Sequence, residues 1–460
     1  MTTREYINII LLEATLDALT GMGSPAEPSS AVVVVVPVDM RILPDSATRV
    51  HLTELYYKSH YLTLPMVQRE VLRVCEENIH IPHCLFLCNA VYFGGSLFLN
   101  SATSSVESAG EEYFLRGQDL FEQGYLGSHI CTIQGLLLFA SGNGSFARRS
   151  RLANRAITMA LTLSLHVKQD ESTNSITRAY LQRVFWCCFV YDSTFSSIGG
   201  EPTLVGDEDI TADMFEAGDL GTEGECCSDQ YFLHNVRGWK ICREIRNHYA
   251  RVVQGSQSSE QFLVGRLEQL DASLVEWQQQ MPDALDIHLI RGSLTSPLKA
   301  MAAGAQLFCY ALIIFLHYPY LPDLDDAGSM RTPNSQGYCT QASLEITRIT
   351  GIVLEEAPWI FKLDIAARYA VNLAVRIHHR NSYATYDPTF AREGRRDLRQ
   401  SIGYVGELSS GYGASTWDDN GQEELPRNNP MTFGFLPSGL EDVVMSVSSM
   451  STPGDGSYEY

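Results

Sequence analysis

The stretch RVFWCCFVYDSTFSSIGGEPTLVGDEDI, Arg183 to Ile210, decides the fold. With Leu181 just ahead of it, the residues Leu181, Val184, Phe185, Cys188 and Phe189 fall at i, i+3, i+4, i+7 and i+8, one face of an α-helix. The run ends at Gly199-Gly200-Glu201-Pro202, a turn that breaks the helix and directs the chain toward Asp207 and Asp209.

The same template recurs on both sides. Ala153, Ala156, Ile157, Ala160 and Leu161 repeat it with small residues on the seam. Ser108 to Glu111 reads as a capping box ahead of Phe114, Gly117, Leu120 and Phe121. Leu298 to His317 is a long apolar stretch stopped by Pro319 and Pro322, expected to be a largely buried helix. Residues 322–342 read as a loop, and helical periodicity resumes from Leu344 to Ile377. Alternating strand patterns are nearly absent, so the expected fold is all-α and multi-helical. The expected organisation is a flexible, linker-like segment over 1–47, a helical domain over 48–322, a helical extension over 323–400 and an acidic, disordered tail over 401–460.

Hydrophobic residues make up 45% and charged ones 19%, which suits a folded chain and excludes a wholly disordered one. The formal net charge of −21 opposes DNA binding by the bulk of the surface. The eleven cysteines are scattered, several of them in apolar stretches, and read as buried free thiols. The Val32–Val36 run is too short to span a bilayer and ends at Pro37, so no membrane role is expected.

The chain holds no G-x-S-x-G elbow, phosphate-binding loop, dinucleotide fingerprint or H-E-x-x-H. Asp323, Asp325 and Asp326 lack the spacing that would set carboxylates on one helical face, and read as a solvated loop. His80, His83, Cys84 and Cys88 could gather round zinc, but their apolar surroundings favour core thiols beside surface histidines. His129 reads as a first-turn helix residue. Arg148, Arg149, Arg151 and Arg155, and later Arg392, Arg395, Arg396 and Arg399, read as charged helix faces, the later group with a weak role in nuclear import. No catalytic, cofactor or metal residue is assigned.

The strongest signal is an order of blocks. SHICTIQGLLLF (Ser128 to Phe139) is followed by RAITMALTLSLH (Arg155 to His166) and then by the Arg183–Ile210 stretch. LTELYYKSHYLTLP (Leu52 to Pro65) precedes them, and LIIFLHYP (Leu312 to Pro319) follows. Together they resemble the fungal-specific transcription factor domain, the middle homology region of Zn2Cys6 regulators, over about residues 50–320. The resemblance picks out Gln134, His166, Arg183, Trp186, Asp192, Gly200 and Pro202 as signature residues. Physically these are architectural: Gln134 and Asp192 lie on apolar helices and need hydrogen-bond partners, and Trp186 is a core anchor.

The sequence departs from the family's pattern in several places: the run of basic residues before the aromatic pair is reduced to Arg183, preceded by Leu181 and Gln182. The family's Gly-Arg-Pro is Gly200-Glu201-Pro202 here, and its Leu-Gly-Leu-His is Leu163-Ser164-Leu165-His166. The family's zinc cluster needs six cysteines with C-x2-C pairs, and these 460 residues contain no C-x2-C. The resemblance therefore implies a nuclear transcription regulator, not an enzyme, with zinc and DNA contact confined to a module outside this sequence. It implies co-regulators or a homo- or heterodimer as partners, and a small-molecule effector. The competing expectation is an accessory protein that dimerises with or sequesters a full-length regulator. An all-α enzyme is a distant third.

Overall fold

The computed structural model describes residues 36–99, 106–142, 146–170, 173–216, 226–253, 260–281, 297–321, 334–384 and 387–411. Among them regular structure is α-helix and short 3-10 turns, with no strand, as the periodicity predicts. The helices are α1 (Ser46–Lys58), α2 (His60–Thr63), α3 (Arg69–Glu77), α4 (Pro82–Ser96), α5 (Val106–Glu122), α6 (Ile130–Ser141), α7 (Phe146–Thr162) and α8 (Ser175–Gly199). They continue with α9 (Cys226–Val253), α10 (Glu260–Gln279), α11 (Pro297–His317), α12 (Ser335–Glu356), α13 (Ile360–Leu363), α14 (Ile365–Ser382) and α15 (Pro388–Gly411).

Local chemistry sets several boundaries. Asp45 caps α1 by accepting from the Ala47 and Thr48 amides, and Asn174 caps α8 through Ile176. Gly200 ends α8 in the left-handed region, φ +70°, where a side chain would be strained. Every residue of helix α6 is buried, the polar Thr132, Gln134 and Ser141 included, so it runs through the core rather than along it. Helix α4 crosses α1 at backbone contact: a Cβ on Gly95 would stand 2.1 Å from the Leu52 carbonyl oxygen. The stretch Lys299–Tyr320 is long and apolar enough to cross a membrane, yet 89% of it is buried inside the fold, which fits a core helix.

One continuous apolar core runs from Val36 to Leu408. Around α4 it joins α1, α5 and α6; around α14 it joins α11, α12 and α15. Each fully buried Phe or Leu adds about 1.5–3 kcal/mol of transfer free energy, so this shared core couples the two ends of the described chain.

Four boundaries differ from the sequence reading. Helix α5 begins at Val106, so Ser108 lies within its first turn and does not cap it. Helix α12 begins at Ser335, within the stretch read as a loop, because Cys339, Ala342, Ser343 and Ile346 form a buried face that outweighs Pro333 and Gly337 as loop signals. Val36 is buried and α1 starts at Ser46, so the end of the linker-like segment joins the core. Helix α15 continues past Ser401 to Gly411, with Ser401 and Leu408 buried. Residues 412–460, the Asp323, Asp325 and Asp326 group and the Val32–Val35 part of the valine run lie outside the described residues.

Candidate functional site

The signature residues converge on α8 and the loop that follows it. Arg183 is almost wholly buried and makes a two-pronged ion pair with the buried Asp229 of α9, Nη1 to Oδ1 and Nη2 to Oδ2 at 2.9 Å. Its guanidinium also lies 4.5 Å from the centre of the Phe215 ring. Burial works against the Arg183 charge, and the Asp229 carboxylate more than offsets this, so its pKa is raised.

About two and a half turns along α8, Asp192 accepts from the Leu204 and Val205 amides at 2.9 and 3.1 Å and from Arg243 Nη2 at 2.7 Å. Arg243, from α9, spends its remaining donors on Ser193 Oγ (2.7 Å), the Val205 carbonyl (2.9 Å) and Asp207 Oδ1 (2.8 Å), and its face lies over Phe189. The planar fork of a guanidinium can meet four acceptors at once, which an ammonium could not do in this geometry. Burial pushes the Asp192 carboxyl up, while Arg243 and the two amides pull against it. The result is a clamp that fastens the loop 200–209 between α8 and α9.

The other signature residues serve the same frame. Gln134 donates through Nε2 to the Met66 carbonyl and accepts from the Tyr180 hydroxyl at 3.0 Å, tying α6 to α8 and to the chain after α2. Trp186 is buried, donates from Nε1 to the Asp213 carbonyl at 3.0 Å and has Lys240 Nζ 4.4 Å from its ring centre. The His166 carbonyl receives the Thr211 and Ala212 amides, both at 2.9 Å, so the end of α7 is stitched to the chain beyond the clamped loop. Gly200 supplies the turn, and Pro202 is exposed beside it. Glu201 is also exposed; its carbonyl accepts from Arg246 at 3.3 Å, so the reversed charge faces solvent.

Ser164 explains a further departure. Helix α7 ends with Ser164 N donating to the Leu161 carbonyl and Leu165 N to the Ala160 carbonyl, the paired bonds of a Schellman turn. Ser164 takes the left-handed position of that turn, φ +53°, where glycine is favoured.

Several site expectations are corrected. His129 stands outside α6 as its N-cap, its Nδ1 accepting from the Cys131 amide. His83 is half-buried, not a surface residue: its ring stacks on His129 and Nδ1 lies 2.8 Å from Thr132 Oγ1. The α7 arginines are not a uniform solvated face either. Arg148 and Arg155 lie over Phe114 and Phe121 of α5, and Arg149 is buried. Of the later group, Arg392, Arg396 and Arg399 are exposed and Arg395, also exposed, donates to the Ser382 carbonyl at 3.2 Å. The four arginines do not form one basic pocket.

Among the described residues no group of three or more His, Cys, Asp or Glu is arranged to hold a metal ion. Arg243 and Asp229 drew no attention in the sequence because each lies on α9, far along the chain from its partner.

A cleft lies where α7, α8 and α9 meet the start of α14. Its walls include Leu64, Val190, Trp239 and Ile365, and its polar groups include Arg149, Tyr191, Asn235 and Asp364. The Arg149 Nε and Nη2 groups donate to the Ala140 and Ser141 carbonyls at the C-terminus of α6, at 2.8 and 3.4 Å. Burial, aided by the positive charge of Arg368, lowers the Arg149 pKa to about 9. Burial raises the Asp364 carboxyl to about 6, despite the α14 amides it accepts from.

Residues 53–225 match the family described as the Fungal specific transcription factor domain. A protein of Schizosaccharomyces pombe named as an uncharacterized transcriptional regulatory protein is 25% identical over 224 residues, which cover 45% of this chain and 34% of the relative. The match thus spans about a third of the relative's length. No solved structure matches the chain.

Proposed function

We propose that this chain, whose residues 53–225 match the Fungal specific transcription factor domain family, is a fungal transcription regulator whose helical body is the regulatory part. The observation that carries the reading is that family match, extended by a relative named as a transcriptional regulatory protein. The site geometry is consistent with it. Signature polar residues are spent on ion pairs, amides and ring contacts that fix helices to one another, which is architecture and not a reacting constellation.

The finer reading places the chain in the Zn2Cys6 class, acting in the nucleus on a metabolic or secondary-metabolite gene set. Contact with DNA belongs to a zinc-bearing module outside these 460 residues, since a surface of formal charge −21 opposes a duplex. Partners are co-regulators or a second regulator chain. The aromatic and apolar residues set among acids over 412–460 suit an activation segment. A second reading is an accessory chain that pairs with or sequesters a full-length regulator.

Fusing the full chain to a heterologous DNA-binding domain tests the first reading. Reporter output should rise or fall relative to that domain alone. Unchanged output, with the fusion present in the nucleus, contradicts it.

A further inference from the structure

Arg149 is 6% exposed and carries a charge that no carboxylate balances among the described residues. Carbonyls satisfy its Nε and Nη2, and Phe195 lies 6.0 Å from its guanidinium, but Nη1 makes no hydrogen bond among the described residues. An isolated buried cation is costly, and Arg368 adds a like charge instead of relieving it. Beside it, Tyr191 is 5% exposed, and its hydroxyl, which lies near that of Ser141, meets no hydrogen-bond geometry among the described residues. The nearby Ser141 hydroxyl is already engaged, donating to the Leu138 carbonyl at 2.6 Å and lying 2.5 Å from His60 Nε2. Both unsatisfied groups line the same cleft.

We propose that this cleft binds a small organic monocarboxylate, its two oxygens taken by Arg149 Nη1 and the Tyr191 hydroxyl. Two donors match two oxygens, and a guanidinium is the group best suited to a carboxylate. The ligand's body lies against Trp239, Leu64, Val190 and Ile365, the apolar wall that a small-molecule site needs. Its far end faces Asp364, Asn235 and Tyr231. A second carboxylate there would meet the Asp364 charge and be rejected, whereas a hydroxyl would find an acceptor. Phosphate, with more oxygens and more charge than two donors satisfy, fits less well than a monocarboxylate.

The Arg149 bonds to the end of α6 also give it a structural role, a cation on the last carbonyls of a helix. A purely structural Arg149 would shift the melting temperature equally with and without ligand, so the test reads the ligand-dependent increment. The purified full chain is melted with butyrate, γ-hydroxybutyrate, butyramide, succinate and inorganic phosphate, each at about 20 mM. Butyrate and γ-hydroxybutyrate are expected to raise Tm by roughly 2 °C, γ-hydroxybutyrate at least as much as butyrate, and the other three compounds not at all. Arg149→Met should abolish that rise. Tyr191→Phe keeps the ring in the core, so it should melt like the wild type without ligand and lose at least half of the rise. The proposal is overturned if neither monocarboxylate raises Tm, if butyramide, succinate or phosphate does so equally, if the rise persists in Arg149→Met, or if Tyr191→Phe keeps more than half of it. Binding by the purified chain is independent of any role in transcription, so an inactive reporter fusion would leave these melts unchanged.

Discussion

Arg183 and Arg243 on one side, and Arg149 on the other, are buried to a similar degree but lie in different surroundings. The first two meet carboxylates, Asp229 for one and Asp192 with Asp207 for the other, and Arg243 spends every group of its fork on an acceptor. Arg149 meets two carbonyls and a ring, and among the described residues leaves one nitrogen and its charge uncompensated. A satisfied buried ion pair fixes geometry; an unsatisfied one at the wall of a cleft marks a place for something else. The clamp around the loop 200–209 is therefore the molecule's frame, and the cleft beside α7 its candidate for recognition.

The largest expected effect breaks the paired side. Asp229→Leu leaves Arg183 charged and alone, and should cost about 3–5 kcal/mol in denaturant unfolding. Arg183→Met combined with Asp229→Leu should recover most of that loss, because exchanging a buried pair for apolar groups of similar volume is often near neutral. If the double variant is as unstable as the single one, the pair contributes more than charge balance and the comparison is wrong on that side.

The next effect belongs to the cleft and appears as a pH dependence. The Asp364 carboxyl is raised from 3.8 to about 6 by burial, so between those values the folded chain holds a proton that the unfolded chain has lost. Its contribution to stability is thus fully present below the unfolded value and is lost as pH rises through about 6. Asp364→Asn keeps a side chain able to cap α14 and removes the titration. The variant and the wild type should match in stability near the bottom of this window, with the variant the more stable at neutral pH and above. Parallel unfolding curves at all pH values would show that the carboxyl is not held up by its surroundings.

The smallest effects ask whether backbone turns share the work of the ion pairs. Gly200→Ala at φ +70° should lower stability by about 1 kcal/mol, and Ser164→Gly at φ +53° should raise it by about 0.5–1 kcal/mol. Equilibrium unfolding of the two variants checks both signs. If Ser164→Gly destabilises, the serine side chain is giving that turn something the described contacts lack.

The fold was legible because helices α6, α7, α8 and α11 carry their burial in their spacing, and a 3.6-residue apolar repeat has few other readings. Sequence alone failed where tertiary packing outweighed local signals. Cys339 and Ala342 anchor a helix through a stretch whose Pro333 and Gly337 suggest a loop. His129 caps α6 although histidine is an uncommon cap. The site was half legible. Arg183 and Asp192 came from block order, but Asp229 lies 46 residues from the one and Arg243 51 residues from the other, with no local mark of the pairing. Arg149 was misread for the opposite reason: Arg148-Arg149-Ser150-Arg151 looks solvated in one dimension, and only the end of α6 and the packing of α8 enclose its middle member.

The most direct measurement of the regulatory assignment is transcript profiling of the source organism with this gene deleted and then restored. A defined set of transcripts should change on deletion, return with the wild-type chain, and fail to return with Asp229→Leu, whose frame is broken. A transcriptome unchanged by deletion across growth conditions would contradict the account.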